Sequence, residues 1–258
     1  MTSNVPYPHM QRPPTGFRPQ RAMILAAGLG TRMRPLTDDR PKPMINVNGQ
    51  PLIEHTLDRF TDFGIELAVI NLHYRGKMIE SHLKERTGPP LHFTHEETLL
   101  DTGGGIVQAL PHLGNDTFIV ANGDALWLNG PQSALGRMAA VWDDSAMDGL
   151  LLLHSTVEAF GYDGLGDFTV DPSGLLARRP EVEVSPYLFA GLQFLHPRLF
   201  ASAPAGAFSI NKLWNKAIKA GRLYGMVHDG EWFHIGTPEG LHDAENFLNT
   251  TYPKSRRR

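Results

Sequence analysis

A single-domain α/β fold, a mixed but mostly parallel sheet flanked by helices, is what this sequence predicts, on three observations. Short apolar runs alternate with helix-period segments through the first half of the chain, the pattern of parallel strands joined by crossover helices. Two of those runs end in glycine or in Asn-Gly-Asp, and open parallel sheets bind ligands outside the carboxyl ends of their strands. No linker-like stretch divides the 258 residues, a length that suits one large domain or two small ones.

The elements follow in order. Met23 to Ala27 is a short apolar run ending in glycine, the mark of a buried strand. Pro51 to Phe63 sets Leu52, Ile53, Leu57 and Phe60 at helical spacing, and Gly64 ends that helix. "ELAVINL" (Glu66 to Leu72) is the next strand, Lys77 to Leu83 a short helix, and "LHFTHE" a third strand. "TGGGIVQALPHL" has the form of a Gly-rich turn opening a helix, and "DTFIVANGD" is a fourth strand closing on Asp124. The second half is less regular. "MDGLLLLHS" is a strong strand; "GYDGLGDFTVDPSGLLARR" predicts a hairpin with turns at Asp163-Gly164 and Ser173-Gly174. "PYLFAGLQFLHP" is another strand, and "INKLWNKAIKAG" an amphipathic helix ended by Gly221. "LYGMVHDGEWFHIGTPEGL" resembles a strand pair, with a closing helix from about Pro238. Residues 1–20, rich in proline and polar side chains, predict a flexible arm, and 251–258 a solvated tail.

Composition narrows the function. Apolar content of 41% and charged content of 20% are ordinary for a globular chain. With no cysteine, disulfides, thiolate metal sites and a cysteine nucleophile are excluded, and a reducing, cytoplasmic setting is the expectation. A net charge of -3 carries no footprint for nucleic acid. No apolar run approaches the ~18 residues of a membrane span, and residues 1–20 lack the apolar core of a secretory signal.

Two stretches suggest phosphate. In "AAGLGTRM", Gly28 and Gly30 let the backbone approach a polyphosphate, and Arg32 offers a fork of donors. This is neither a Walker loop, since no Gly-Lys-Ser/Thr follows, nor a dinucleotide fingerprint, since Met33 stands where the third glycine would be. A tight turn with a surface arginine is the plainer alternative. In "RPKPM", two prolines stiffen the backbone and present Lys42 rigidly, which suits a phosphate at a reaction centre; a solvated loop lysine is the alternative.

Together these stretches carry a resemblance. "LAAGLGTRMRPLTDDRPKPMINVNGQPLIEH" resembles the signature of the sugar-1-phosphate nucleotidyltransferases: Gly-x-Gly-Thr-Arg, then Pro-Lys-Pro, then a Gly-x-Pro-Leu-Ile helix start. "DTGGGIVQAL", "VANGD", "YLFAGLQFLHP" and "WFHIGTPEGL" match in family order, so the likeness runs from Arg21 to Leu248. It implies a GT-A-like, Rossmann-like domain over 21–250, with a nucleoside triphosphate (NTP) half at about 21–146 and a sugar half at 147–250. The reaction it implies is attack of a sugar-1-phosphate oxygen on the α-phosphorus of the NTP, releasing pyrophosphate. A phosphate nucleophile is largely ionised near neutral pH, so the site needs cations and in-line positioning rather than a base.

The resemblance also implies roles. Ala27, Gly28, Gly30, Thr31 and Arg32 would hold the triphosphate, and Arg32 and Lys42 would be catalytic. Glu97, Thr102, Gly104 and Gly105 would meet the base, and Asn122, Asp167 and Gly191 the sugar. Asp124 would bind Mg²⁺, which takes one or two carboxylates plus substrate phosphates. Where the family has a second acidic ligand, this chain has His234. Imidazole favours later transition metals, so Mn²⁺ or Co²⁺ enter as alternatives to Mg²⁺. His234 has three readings: a nitrogen ligand, a contact to bound water or phosphate, or no role, with Asp124 sufficing.

The likeness is greatest to short bacterial members that join UTP to N-acetylmuramate 1-phosphate in cell-wall recycling. Mannose-1-phosphate guanylyltransferases and glucose-1-phosphate thymidylyl- or uridylyltransferases share the early motifs. No hexapeptide repeats occur, so no left-handed β-helix is expected. Two rivals come from other classes. A catalytically inactive nucleotide-binding regulator is favoured by His234. A GT-A glycosyltransferase usually carries Asp-x-Asp at a strand end, where this chain has "NGDAL". A monomer or small homo-oligomer is expected.

Overall fold

The structure is a computed structural model, and it describes residues 16–251. The expected tail beyond residue 251 and the first fifteen residues of the expected arm lie outside that range. The rest of the arm packs. Phe17 stacks on Trp142 at 6.1 Å and Arg18 lies over the Phe63 ring at 4.8 Å, while the Gln20 carbonyl accepts from Glu66 N.

Among the described residues, thirteen strands and six α-helices follow one another. The first half runs β1 (Arg21–Leu25), β2 (Asn46–Val47), β3 (Gln50–Pro51), α1 (Leu52–Phe63), β4 (Leu67–Leu72), α2 (Gly76–Leu83), β5 (Leu91–His95), α3 (Asp101–Leu113), β6 (Phe118–Asn122), β7 (Leu126–Trp127) and α4 (Ala134–Val141). The second half runs β8 (Gly149–Ser155), β9 (Phe168–Val170), β10 (Leu176–Arg178), β11 (Tyr187–Leu195), α5 (Asn211–Lys219), β12 (Leu223–Val227), β13 (Trp232–Phe233) and α6 (Pro238–Thr251).

Nine strands form one sheet. Its spine has the order β10-β9-β11-β6-β1-β4-β5, with β8 on β11 and β12 on β8. The β6-β1-β4-β5 block is parallel, as buried βα units require. The long strand β11 runs antiparallel to β6 and β8, and so joins the two halves in one sheet. Alternate residues of each strand face opposite sides. Ala22 and Ile24 pack with α1, α2 and α4 on one face, and Met23 packs with α3 and α5 on the other. Helix α1 shows why these segments are ordered. Leu52, Ile53, Leu57, Phe60 and Phe63 are all buried along one side, each contributing roughly 1.5–3 kcal/mol of transfer free energy. Gly64, at φ 86°, ends it with its N–H on the Phe60 and Thr61 carbonyls.

Three expectations need correction. The Gly103–Gly105 run is not a turn: it lies inside α3, fully within the helix. The 223–241 segment is not a strand pair. β12 pairs in parallel with β8, whereas β13 pairs antiparallel with the two-residue β7. In the 161–179 hairpin, the turn through Ser173-Gly174 joins β9 to β10, but Asp163-Gly164 lies in a loop before β9. No helix among the described residues is long and apolar enough to cross a membrane.

Candidate active site

The carboxyl ends of β1, β4 and β6 open onto one cavity of about 490 Å³. The turn after β1 forms its floor. Nothing stands within 4 Å of a Cβ placed on Gly28, so a ligand can approach that backbone. Gly30 is required for another reason. Its φ is 64°, and a Cβ would meet Thr37 Cγ2 at 3.0 Å and Lys42 Cβ at 3.2 Å. Thr37 Oγ1 donates to the Gly30 carbonyl at 2.8 Å, tying the two loops together. Ala27, Thr31 and Arg32 share the lining, and Arg32 has no ion pair among the described residues.

Lys42 opens a short 3-10 turn between Pro41 and the buried Pro43. Its ammonium donates to Asp124 Oδ2 at 2.6 Å. Asp124 reaches it because β6 ends at Asn122 and turns sharply: Gly123 N donates to the Leu25 carbonyl, and a Cβ on Gly123 would lie 2.6 Å from that oxygen.

His234 is brought to the same place by the β7–β13 pairing. Phe233 stands opposite Leu126, so His234 continues the register towards Asp124. Its ring lies over Gly236, which lines the cavity. Burial pushes the imidazole down from its ordinary value, Lys42 and Arg32 push the same way, and Asp124 and Asp163 oppose them. A neutral ring with a free lone pair is therefore the favoured form. Among the described residues no group of three or more His, Cys, Asp or Glu could hold a metal by itself. The donor set of one carboxylate beside a neutral imidazole fits a divalent cation whose shell is completed by substrate phosphates.

The base-side residues divide. Thr102 lines the cavity, and its Oγ1 accepts from Ile210 N at 2.9 Å. Glu97 is exposed and off the lining. Gly104 and Gly105 are buried and also off it: a Cβ on Gly104 would lie 2.6 Å from the Gly206 carbonyl, and one on Gly105 2.8 Å from Glu96 Oε1. The N–H groups of Gly103 and Gly104 both donate to the Phe208 carbonyl, so neither faces a ligand.

Two residues not singled out by the motifs line the cavity instead. Asn71 accepts from Ala26 N at 2.8 Å and donates to Glu96 Oε1 at 2.6 Å, while Glu96 Oε2 accepts from Leu100 N. Both are buried. The available signal was position: one polar residue near the end of β4, and one just past β5.

A second cavity of about 430 Å³ adjoins the first, sharing Leu25, Asp101, Thr102 and Asn122. Asp167 lines it, its Oδ2 accepting from Phe189 N at 2.8 Å. Gly191 lines neither cavity. It is buried at an irregularity in β11, against Asn122 and Ala125.

The family model for "Nucleotidyl transferase" matches residues 21–251. An N-acetylmuramate alpha-1-phosphate uridylyltransferase of Caulobacter vibrioides is 40% identical over 232 residues, 88% of this chain and 96% of that protein. One from Neisseria meningitidis serogroup B is 35% identical over 231 residues, 87% of this chain and 96% of that protein. A UDP-glucose pyrophosphorylase solved with UDP-glucose superposes with a TM-score of 0.71 at 19% identity. It covers 90% of this chain and 99% of its own.

Proposed function

The chain belongs to the nucleotidyl transferase family, and from that premise we propose that it joins UTP to N-acetylmuramate 1-phosphate in the cytoplasm. It is a sugar-1-phosphate nucleotidyltransferase by family. The choice of UTP and of the muramyl acceptor is supported by two relatives of that name that match over 96% of their lengths. We expect it to act as a monomer or a small homo-oligomer.

One observation carries the chemical reading. A single cavity collects Gly28, Gly30, Arg32, Lys42 and Asp124, and adjoins a second through Asn122 and Thr102. A triphosphate in the first and a sugar phosphate in the second would meet beside Lys42. A non-bridging oxygen of the sugar phosphate forms the new bond to the α-phosphorus. The bond from that phosphorus to the α–β bridging oxygen breaks, and pyrophosphate leaves with the electron pair. No proton need move. Lys42 neutralises charge where the two phosphates crowd, Arg32 and the backbone at Gly28 hold the triphosphate, and Thr102 and Asn122 border both substrates.

Enzymes of this family generally use a divalent metal. Asp124, with His234 beside it, would hold that ion here, and we favour Mg²⁺ with Mn²⁺ or Co²⁺ as substitutes. The ion supplies charge neutralisation and template geometry for the phosphates.

The test is pyrophosphate release from UTP, GTP and dTTP, each with the 1-phosphates of N-acetylmuramate, N-acetylglucosamine, glucose and mannose, in Mg²⁺ and in Mn²⁺. The highest kcat/KM is expected for UTP with N-acetylmuramate 1-phosphate. A higher value for any other pair overturns the substrate assignment.

A further inference from the structure

The second cavity contains one guanidinium. Arg178 ends β10, and its Cζ lies 4.6 Å from the Phe168 ring centroid and 5.6 Å from that of Trp214. Its Nε donates to Asn215 Oδ1 at 2.8 Å and its Nη2 to Asn211 Oδ1 at 2.7 Å. Both asparagines lie on one side of α5, at its start and one turn further along. Among the described residues, no carboxylate comes within 4.0 Å of Arg178 and no partner engages Nη1.

This is an unusual way to hold a half-buried cation. Partly buried charges normally find an opposite charge. Here two neutral amides and two aromatic faces fix the plane of the guanidinium without cancelling its charge. Burial pushes Arg178 down from its ordinary value, with the Asp167 carboxylate acting in opposition, yet an arginine stays protonated in proteins. The cavity therefore presents an oriented positive charge with a free donor edge. Asp167 and Asp101 share the lining, but Asp167 Oδ2 is turned to Phe189 N and Asp101 Oδ1 to Thr102 N. Both repel an anion beside them, so an acidic group on the ligand belongs on the Arg178 side.

N-acetylmuramate differs from N-acetylglucosamine by a lactyl ether that ends in a carboxylate. Resting on the acceptor reading above, we infer that Arg178 is the specificity-determining residue for that carboxylate. The site so built takes sugar 1-phosphates carrying a second anionic group, and the planar fork of Arg178 receives it. Residues of α5, Asn211 and Asn215, act as positioning residues for the fork.

The experiment measures kcat/KM with UTP for N-acetylmuramate 1-phosphate and for N-acetylglucosamine 1-phosphate, in the wild type and in Arg178→Gln and Arg178→Lys. In the wild type the muramyl substrate is preferred. In Arg178→Gln its kcat/KM falls by about 10-fold or more, the scale of losing a hydrogen bond between charged groups, while the value for the neutral acceptor changes less than about threefold. Arg178→Lys recovers part of the preference, because the charge remains and the fork is lost. The ratio of the two substrates is read on the same folded population, so loss of packing on Trp214 does not imitate the effect. An unchanged ratio in Arg178→Gln, or an equal loss on both acceptors, overturns the inference and leaves the acceptor reading standing. A wild type that does not turn over N-acetylmuramate 1-phosphate overturns the acceptor reading, and the inference with it.

Discussion

The Lys42 ammonium donates to Asp124 Oδ2 across 2.6 Å, joining the proline-held loop to the end of β6. The Asp124 side chain is 38% exposed and that of Lys42 11%. A pair this open adds about 1 kcal/mol or less to stability, so its position matters more than its strength. On the proposed reaction, it would preset the charge that faces two phosphates. Lys42→Ala is expected to lower kcat by roughly 10²–10³-fold, the scale of removing one preorganised transition-state donor, with little change in Tm. Steady-state pyrophosphate release and a thermal melt check this together. A raised KM for UTP with unchanged kcat would instead mark Lys42 as a simple binding group.

The same contact means that any cation reaching Asp124 competes with an ammonium. Lys42→Ala should therefore bind Mn²⁺ more tightly in the absence of nucleotide, while Asp124→Asn should bind it more weakly. Titration followed by the electron paramagnetic resonance of free Mn²⁺ reads both. Equal affinities in the wild type and both variants would remove Asp124 from the metal site.

His234 lies where the family's pattern has an acid, and its imidazole is held neutral by burial and by Lys42 and Arg32. A neutral nitrogen ligand shifts preference from Mg²⁺ towards the later divalent ions. His234→Asp is expected to keep or raise activity in Mg²⁺ and to lower the ratio of Mn²⁺- to Mg²⁺-supported kcat. If both the activity and the ratio stay as in the wild type, His234 does not touch the metal.

Local signals carried much of the fold and some of the site. The βα units from Arg21 to Asn122 were legible because apolar runs, helical spacing and the stop at Gly64 are all nearest-neighbour information. The glycine turn after β1 and the proline-held Lys42 were legible because glycine and proline punctuate the backbone wherever they occur, and both do line the first cavity. The pairing of β7 with β13 was not, because two-residue strands have no period and their partners lie a hundred residues apart. Helix α4 carries little sequence signal despite its cap, Ser133 Oγ accepting from Gly136 N, because its glycine and alanines weaken the apolar pattern. Asn71, Glu96 and Arg178 are single polar residues in ordinary strand or strand-end sequence. Only the sheet order shows that they face the cavities.

The glycine run in α3 gives a further test. Glycine in a helix interior costs roughly 1 kcal/mol against alanine, so three in succession call for a packing reason. A Cβ on Gly105 would lie 2.8 Å from both Asn71 Nδ2 and Glu96 Oε1, the hydrogen-bonded pair on the cavity wall. Gly105→Ala should thus lose more by overpacking, about 1–3 kcal/mol, than it gains in helix propensity. It should also raise KM for UTP as the pair shifts. Urea denaturation and steady-state kinetics measure the two effects. A stabilised variant with unchanged KM would mean that the wall is free to move.

Acid should unfold this protein through two buried histidines that line neither cavity. His154 and His228 are 2% and 4% exposed, with ring centroids 6.0 Å apart. Among the described residues, neither ring nitrogen of His154 nor Nδ1 of His228 has a hydrogen-bond partner, while His228 Nε2 is 2.9 Å from the Leu128 carbonyl. Burial pushes His228 down to about 4 and lowers His154 as well. An unfolded histidine takes up its proton near pH 6.5, whereas folded His228 resists until about 4. Between those values the unfolded state binds more protons, so stability is complete above pH 6.5 and is lost as pH falls towards 4. At about 1.4 kcal/mol per pH unit, His228 alone should remove about 2 kcal/mol between pH 7 and pH 5. His228→Gln keeps an N–H donor for Leu128 and cannot titrate, so its unfolding free energy should fall less steeply over that range. Parallel slopes for the variant and the wild type in urea melts would show that His228 titrates alike in both states.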